Sequence, residues 1–212
     1  MVYKLFIFAR SIQSKMSKAE KTRQFIIEQT AEVFNKKGYA GTSLSDITSA
    51  TGLTKGSIYG NFANKDEVAQ EVYRYNAKRL QSNFHNELSD AMTTREKLFA
   101  IIDVYRKTWD INFSRGGCPH LNTAVESDDT MPFLKLEVTK NFQKWANLFI
   151  QIIDEGKTKN EIIVSADSSK LAYQFIALIE GGILLSKTMD NKAHLFSTLE
   201  RIEKIIDTEL IK

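Results

Sequence analysis

The sequence predicts an all-α protein in which an N-terminal three-helix unit with a helix-turn-helix is joined to a larger C-terminal helical body. Three observations support this fold class. Apolar residues recur at helical spacing along nearly all of the 212 residues, without the strict alternation of a strand. Only two prolines and ten glycines are present, which favours long helices. No internal repeat or low-complexity run interrupts the pattern.

Composition and charge limit the class of protein. The single cysteine, Cys118, excludes an intrachain disulfide and a cysteine-based zinc site. No apolar run approaches the roughly 20 residues of a membrane span, so we expect a cytoplasmic protein without a membrane partner. Residues 1–65 contain 10 Lys and Arg against 4 Asp and Glu, whereas the rest contains 19 against 22. A basic N-terminal part on an acidic body is typical of a nucleic-acid reader with a second domain, although chance imbalance is an alternative.

Three segments follow from these patterns. Residues 1–17 precede the regular helical pattern, and their short apolar run lies between Lys4 and Arg10 without a convincing cleavage site. We interpret them as an N-terminal arm or a misassigned start. Residues 18–65 are expected to form the helix-turn-helix unit and residues 66–212 the body.

The helix-turn-helix prediction begins with a helix over residues 19–37. Within TSLSDITSATGLTKGSIYGNFANK, residues 42–65, Thr42 and Ser43 offer side-chain oxygens where the next helix begins. Gly52 stands where that helix ends and the backbone needs a positive φ. The segment therefore predicts a short helix followed by a tight turn.

A second short helix is expected from Thr54 or Lys55 to Phe62. Ile58 and Phe62 are four residues apart and would face inward. The outward residues are small, hydrogen-bonding or cationic: Lys55, Gly56, Ser57, Tyr59, Gly60 and Asn61. Such a surface suits a helix lying against phosphates and base edges in a major groove.

At this point the chain resembles the TetR-type transcriptional regulators. The resemblance rests on Thr-Lys-Gly-Ser-Ile-Tyr-Gly-Asn-Phe followed by Asn-Lys-Asp-Glu at residues 54–67, on the preceding helix and on the Gly-Tyr pair at 38–39. It covers about the first third of the chain. The resemblance implies a regulator, expected to be a repressor, that binds a palindromic double-stranded DNA operator as a homodimer and is released by a small-molecule effector.

The resemblance also implies the DNA contacts. Base edges would be approached by Lys55, Gly56, Ser57 and Asn61, and Tyr59 would contact a phosphate. Lysine can donate to guanine, and asparagine can pair with adenine. Further phosphate contacts, which fix register without reading sequence, are expected from Thr42, Ser45, Thr54 and Lys65. The alternative is that these are ordinary solvated helix residues.

The rest of the chain reads as long helices. They are expected to cover about residues 65–88, 94–113, 132–156, 167–189 and 193–211. The turn at 128–132 would supply an N-cap and a first-turn proline. Gly156 would end the third of these helices, and residues 157–167 would form a polar loop.

The family resemblance implies an effector cavity in this body and a dimer through the last two helices. We assign the effector site to Trp109, Phe113, Cys118, His120, Trp145, Phe149 and Tyr173. Aromatic residues at helical spacing more often form a core, which is the alternative here. Gly181 and Gly182 lie in mid-helix, where each costs about 1 kcal/mol relative to alanine. Close approach of helices across the dimer could compensate, and packing within one chain is the alternative.

Two other functions stay open. Arg115 could favour the thiolate of Cys118, which would make this cysteine a sensor of electrophiles or oxidants; a structural cysteine at a helix start is the alternative. The chain could also be a small helical enzyme with an incidental basic N-terminal part. His85, His120 and His194 are scattered, however, and no phosphate loop, dinucleotide glycine pattern or HExxH motif is present. We therefore expect no catalytic residue, cofactor or metal.

Overall fold

The computed structural model describes residues 17–89 and 92–212, and nearly all of them are helical. We number the helices within these ranges α1 to α9. The described residues divide into two compact units, the first ending at Tyr75 and the second running from Asn76 to Lys212, and α4 (Lys65–Glu87) contributes to both. The interpretation of residues 1–17 as an arm falls outside the described residues except for Ser17.

The first unit has three helices before α4: α1 (Lys18–Gly41), α2 (Leu44–Thr51) and α3 (Lys55–Tyr59). Their ends follow local chemistry. The Ser43 hydroxyl accepts from the Asp46 N–H while the Asp46 carboxylate accepts from the Ser43 N–H, a reciprocal cap at the start of α2. Gly52 ends α2 with a φ of 68°, as predicted.

Helix α3 is shorter than the predicted segment, which extended to Phe62. The backbone N–H groups of Asn61 and Phe62 both donate to the Ile58 carbonyl, so the chain turns after Tyr59 instead of continuing as a regular helix. Ile58 and Phe62 still point inward and are buried. They join a core that includes Ile26, Ile27, Ala31, Phe34, Ile47, Val68 and Val72.

The second unit contains the end of α4 and five further helices: α5 (Thr94–Ser114), α6 (Pro119–Ser127), α7 (Pro132–Thr158), α8 (Ser168–Thr188) and α9 (Ala193–Ile205). They enclose one apolar core, in which Phe149 and Phe175 are fully buried and meet edge to face at 5.6 Å. The predicted all-α fold class is confirmed.

The prediction that Gly156 ends a helix was wrong, because α7 continues to Thr158. The glycine is required by packing instead. A Cβ at this position would lie 2.6 Å from the Ile162 side chain and 2.7 Å from that of Thr94. Gly156 therefore lets the chain pack closely against the start of α5.

Two helix ends also differ from the prediction. The N-cap of α7 is Met131, which makes no side-chain cap, so the turn at 128–132 supplies the first-turn proline but not the expected capping side chain. The last helix changes from α to a π turn at Ile206–Leu210. Ile211 then pairs with Ile162 in an isolated antiparallel bridge, which ties the C-terminal segment to the loop after α7.

Candidate DNA-binding surface and effector cavity

Helix α3 is held by its own cap and by its inward apolar residues. The Thr54 hydroxyl accepts from the Ser57 N–H at 3.2 Å. Ile58 has no exposed surface, and Phe62 is 2% exposed. Burial of these two side chains fixes which side of α3 faces solvent.

The solvent side of α3 carries two of the four predicted base-reading residues and the predicted phosphate contact Tyr59. Lys55 and Gly56 are exposed, and Tyr59 is 38% exposed. The Lys55 ammonium makes no ion pair with any residue that the structure describes. Gly56 has open space around its α-carbon, with only the Thr54 hydroxyl within 4 Å of a Cβ placed there. A ligand could therefore approach this backbone closely.

Ser57 and Asn61 are less available than Lys55. Both are partly buried, and the Asn61 amide donates to the Ser57 carbonyl at 2.9 Å. Arg23 donates to the Asn61 carbonyl at 2.6 Å and also pairs with Glu67 at 2.7 Å. Asn61 would have to release its amide from Ser57 before both its donor and its acceptor could face a base.

Thr42 does not fit its predicted role as a phosphate contact. Its side chain has no exposed surface, and its hydroxyl donates to the Gly38 carbonyl at 2.6 Å. A buried side chain has no surface to offer a phosphate. Ser45 and Thr54, by contrast, are exposed at the starts of α2 and α3.

Lys65 has an internal role that the sequence did not indicate. Its ammonium donates to the carbonyls of Tyr39 and Thr42 at 2.8 and 2.9 Å, and it lies 4.2 Å from the centre of the Tyr39 ring. These contacts hold the connection between α1 and α2 against the start of α4. A phosphate contact by Lys65 would have to be made in addition to this bracing.

The second unit contains a first cavity that is partly open to solvent and encloses about 30 Å³. It is bordered by Asn76, Arg79, Leu80, Asn83, Tyr105, Trp109, Asn112, Phe113, Gly117, Cys118, Pro119, Ile183, Lys187 and Leu195. Three of the predicted effector residues, Trp109, Phe113 and Cys118, therefore border one space.

A second cavity encloses about 210 Å³ and has a more polar rim. It is bordered by Ala77, Leu80, Gln81, Phe84, His85, His120, Asn141, Lys144, Trp145, Asn147, Leu148 and Gln151. Two further predicted residues, His120 and Trp145, lie here and not in the first cavity. Burial lowers the pKa of His120 to about 4, so the ring is neutral at neutral pH.

Phe149 and Tyr173 border neither cavity, which corrects their assignment to the effector site. Phe149 is fully buried against Phe175, so it belongs to the core. Tyr173 is 49% exposed on the outer side of α8. Helical spacing identified both as members of a stripe but could not separate core, cavity and surface.

The sequence reasoning also missed the polar lining of the first cavity. Asn76, Arg79 and Asn83 recur at intervals of three and four along α4, so they share one helical face. That spacing was a usable signal, but the predicted site contained only aromatic residues together with Cys118 and His120. Lys187 on α8 carried no comparable signal.

Cys118 does not have the environment expected of a reactive thiol. Burial raises its pKa well above the usual value, and the nearby Glu180 carboxyl raises it further. The thiol lies 2.9 Å from Glu180 Oε1, to which it donates. These contacts do not support the possibility that Arg115 favours the thiolate, and they agree with the alternative of a structural cysteine, because Cys118 is buried directly before the helix Pro119–Ser127.

No group of three or more histidine, cysteine or acidic residues in the described ranges could hold a metal ion. None of the described helices is both long enough and apolar enough to cross a membrane.

Comparison with known proteins agrees with this architecture. Residues 26–72 match the family model described as bacterial regulatory proteins, tetR family, and residues 94–202 match tetracyclin repressor-like, C-terminal domain. The first match covers the helix-turn-helix, and the second covers most of the second unit.

Individual relatives extend along nearly the whole chain. A TetR-family transcriptional regulator from Cytophaga hutchinsonii is 41% identical, with a TM-score of 0.86 over 91% of this chain and 96% of that one. A TetR transcriptional regulator from Chloroflexus aurantiacus J-10-FL is 34% identical, with a TM-score of 0.86 over 92% and 99%. The HTH-type transcriptional repressor DhaR of Mycobacterium sp. (strain GP1) is 29% identical over 177 residues, which are 82% of this chain and 86% of DhaR.

These matches and the capped, outward-facing α3 agree on one assignment. Because the two family models together span most of the described residues, and a solved regulator is 41% identical over almost its full length, the chain belongs to the TetR family of helix-turn-helix transcriptional regulators.

Proposed function

We propose that this regulator is a repressor that binds a palindromic DNA operator as a homodimer and dissociates when a small molecule occupies the first cavity. The observation that carries the proposal is the solvent side of α3, where Lys55, Gly56 and Tyr59 are exposed while Ile58 is fully buried. The name of the related repressor DhaR supports repression over activation.

In this proposal α3 lies in the major groove. Lys55 donates to guanine, and the small Gly56 allows close approach of the backbone. Ser45, Thr54 and Tyr59 contact phosphates, and Ser57 and Asn61 reach base edges once the amide of Asn61 leaves the Ser57 carbonyl. Thr42 is left out because it is buried, and Lys65 acts mainly through its bracing of the Tyr39 and Thr42 carbonyls.

The dimer is proposed to form through the outer side of α8. Tyr173, Leu184, Leu185 and Met189 are each about half exposed there. Exposed apolar residues clustered on one helix face are typical of an interaction surface. The opposite side of α8 is already used within the chain, where Gly182 meets α9.

Release by the effector is proposed to act through α4. Its second half contributes Asn76, Arg79, Leu80 and Asn83 to the wall of the first cavity. Its first half begins at Lys65, which braces the start of the helix-turn-helix. A ligand that prefers one position of α4 would favour one conformation of the regulator and so change its operator affinity.

The thiol-responsive alternative has weaker support. A buried thiol with a raised pKa is a poor nucleophile at neutral pH, because only the thiolate reacts. A Cys118→Ser variant that still responds to an electrophile would contradict the sensor role directly. The other alternative is a small helical enzyme with an incidental basic N-terminal part. It would be supported if the protein bound no DNA duplex at low salt.

The test is a gel shift with the promoter DNA of the protein's own gene, for Lys55→Ala and a matched control, Lys140→Ala on α7. We expect Lys55→Ala to weaken specific binding about tenfold or more, since a good base contact contributes roughly 1–3 kcal/mol. Binding to unrelated DNA should change less. Lys140→Ala should leave both affinities unchanged.

Equal operator affinity of Lys55→Ala and the wild-type protein would contradict the assignment of α3. A Lys65→Ala variant adds a second readout. It should weaken binding to every sequence and also lower the thermal stability of the protein, because two backbone carbonyls lose their donor. Weakened binding without any change in melting temperature would instead favour a direct phosphate contact.

A further inference from the structure

In the part of the chain that the structure describes, the polar lining of the first cavity contains cationic side chains and no carboxylate. Its two charged residues, Arg79 and Lys187, are both cationic, and no aspartate or glutamate borders it. Three asparagines, Asn76, Asn83 and Asn112, also border it, although the Asn112 amide already donates to the Thr108 hydroxyl at 2.9 Å. A ligand that offers acceptors and negative charge would therefore find partners that a cation would not.

The hydroxyl of Tyr105 points to the same conclusion. The side chain is 3% exposed, and its oxygen has no hydrogen-bond partner among the residues that the structure describes. Burial raises the pKa of Tyr105 well above its usual value, so the group stays protonated and can donate. Buried polar groups are normally paired, so an unpartnered donor in a cavity wall indicates a missing acceptor.

The Lys187 ammonium lies where it could pair with a negatively charged ligand in this cavity. Its aliphatic stem packs beside Gly117, where an added Cβ would lie 2.9 Å from Lys187 Cδ. Its ammonium lies 5.7 Å from the centre of the Phe113 ring and pairs with no carboxylate in the described ranges. Glu180 lies two turns before Lys187 on α8. It does not border the cavity, and its Oε1 accepts a hydrogen bond from the Cys118 thiol.

The remaining wall is apolar. Trp109 and Phe113 meet with ring centroids 5.2 Å apart, and Ile183 and Leu195 lie among the bordering residues. Such a wall removes the body of a ligand from water, and the donors select its head group. Aromatic rings also attract cations, but Arg79 and Lys187 would repel one at the same site.

We propose that the first cavity takes a small organic anion with an apolar, ring-containing body, held at its charged end by Lys187 and by donors such as the Tyr105 hydroxyl. This inference rests on the proposed function in one respect, namely that the cavity is the effector site. It adds the chemical class of the effector.

The test compares two fluorescent probes that share a ring system. Anilinonaphthalene sulfonate carries one negative charge, and phenylnaphthylamine lacks the sulfonate. We expect the full-length protein to bind the sulfonate at least tenfold more tightly, measured by fluorescence titration, because a charge-assisted contact exceeds a purely apolar one. A neutral probe that binds as tightly as the sulfonate, or the absence of sulfonate binding, would overturn the proposal.

Substitutions at Lys187 assign the preference to this cavity. Lys187→Met keeps the apolar stem and should weaken the sulfonate at least fivefold while leaving the neutral probe unchanged. Lys187→Arg keeps the charge and should retain the preference. Lys170→Met removes an exposed lysine elsewhere on α8 and should change neither probe. Unchanged sulfonate affinity in a folded Lys187→Met protein would contradict the site.

The same proteins separate this inference from the proposed function. If the sulfonate binds through Lys187 but leaves the gel shift unchanged, the anion site stands and its role in release is wrong. If Lys55→Ala weakens operator binding but the two probes bind equally, the regulator assignment stands and the ligand class is wrong.

Discussion

At the scale of single residues, burial decides chemistry that the residue types left open. Glu180 is 7% exposed, and burial raises the pKa of its carboxyl to about 7. His120 is also buried, and burial lowers its pKa to about 4. Both groups therefore avoid charge inside the second unit, although one is an acid and the other a base.

These two shifts act on stability with opposite signs. The pKa of Glu180 is raised from 4.5, so its stabilising contribution is present below about pH 4.5 and is lost as pH rises through about 7. The pKa of His120 is lowered from 6.5, so its contribution is present above about 6.5 and is lost as pH falls toward 4. Between about pH 4.5 and about pH 6.5 the two contributions to the unfolding free energy change in opposite directions and largely cancel.

A Glu180→Gln variant should expose the hidden dependence. Glutamine keeps an oxygen that can accept from Cys118 but does not titrate. As the pH rises from about 5 to about 8, the unfolding free energy of the variant minus that of the wild-type protein should increase by roughly 3 kcal/mol. Urea unfolding at several pH values measures this difference. A difference that does not change with pH would show that the pKa of the Glu180 carboxyl is not raised.

At the scale of elements, the glycines show how a helix pair is packed. A Cβ at Gly182 would collide with the Thr198 hydroxyl and lie 2.9 Å from Leu195 Cα, whereas a Cβ at Gly181 would meet nothing within 4 Å. The close approach that was predicted across a dimer is therefore found at Gly182 between α8 and α9 of one chain. Gly181 makes no such approach to another helix of the chain.

Neighbouring alanine substitutions should have opposite effects. Gly182→Ala is expected to lower the unfolding free energy by about 2–3 kcal/mol, because the α9 backbone cannot move away without repacking. Gly181→Ala is the matched control and should be neutral or stabilising by up to about 1 kcal/mol, through helix propensity alone. Chemical unfolding at a fixed protein concentration checks both. Equal effects of the two variants would contradict the close contact with α9.

At the scale of the whole molecule, the proposed operator binding requires assembly of two copies as well as α3. A single helix-turn-helix reads few base pairs, so a symmetric pair is needed for a palindromic site. The outer side of α8 offers Tyr173, Leu184, Leu185 and Met189 for that purpose. Its apolar character, and not any single contact, is what should hold the pair together.

A Leu184→Glu variant tests this surface. A charge placed in an apolar interface has no partner, so the dimer should weaken at least a hundredfold. Leu136→Glu on α7 is the control, since Leu136 is 55% exposed and Leu184 is 52% exposed. Sedimentation velocity should show monomers for Leu184→Glu alone, with operator binding lost in parallel. A dimeric Leu184→Glu protein would exclude this face of α8.

The sequence by itself determined most of the helices and which residues of α3 face inward. Caps such as Ser43 and the positive φ of Gly52 depend on neighbours within a few residues, and Ile58 and Phe62 face inward by helical spacing alone. The prediction that the helix ends at Gly156 was wrong. This glycine is required because the side chains of Ile162 and Thr94 pack against it, and such a contact depends on tertiary packing.

Only the tertiary structure decided which side chains share a cavity and in what protonation state. Trp109, Phe149 and Tyr173 all lie in apolar helical stripes, yet one borders the first cavity, one is in the core and one is exposed. Their helical spacing is the same kind of signal, so only the positions of other helices separate them. The thiol of Cys118 stays protonated for the same reason, because desolvation depends on what surrounds a group and not on its neighbours in sequence.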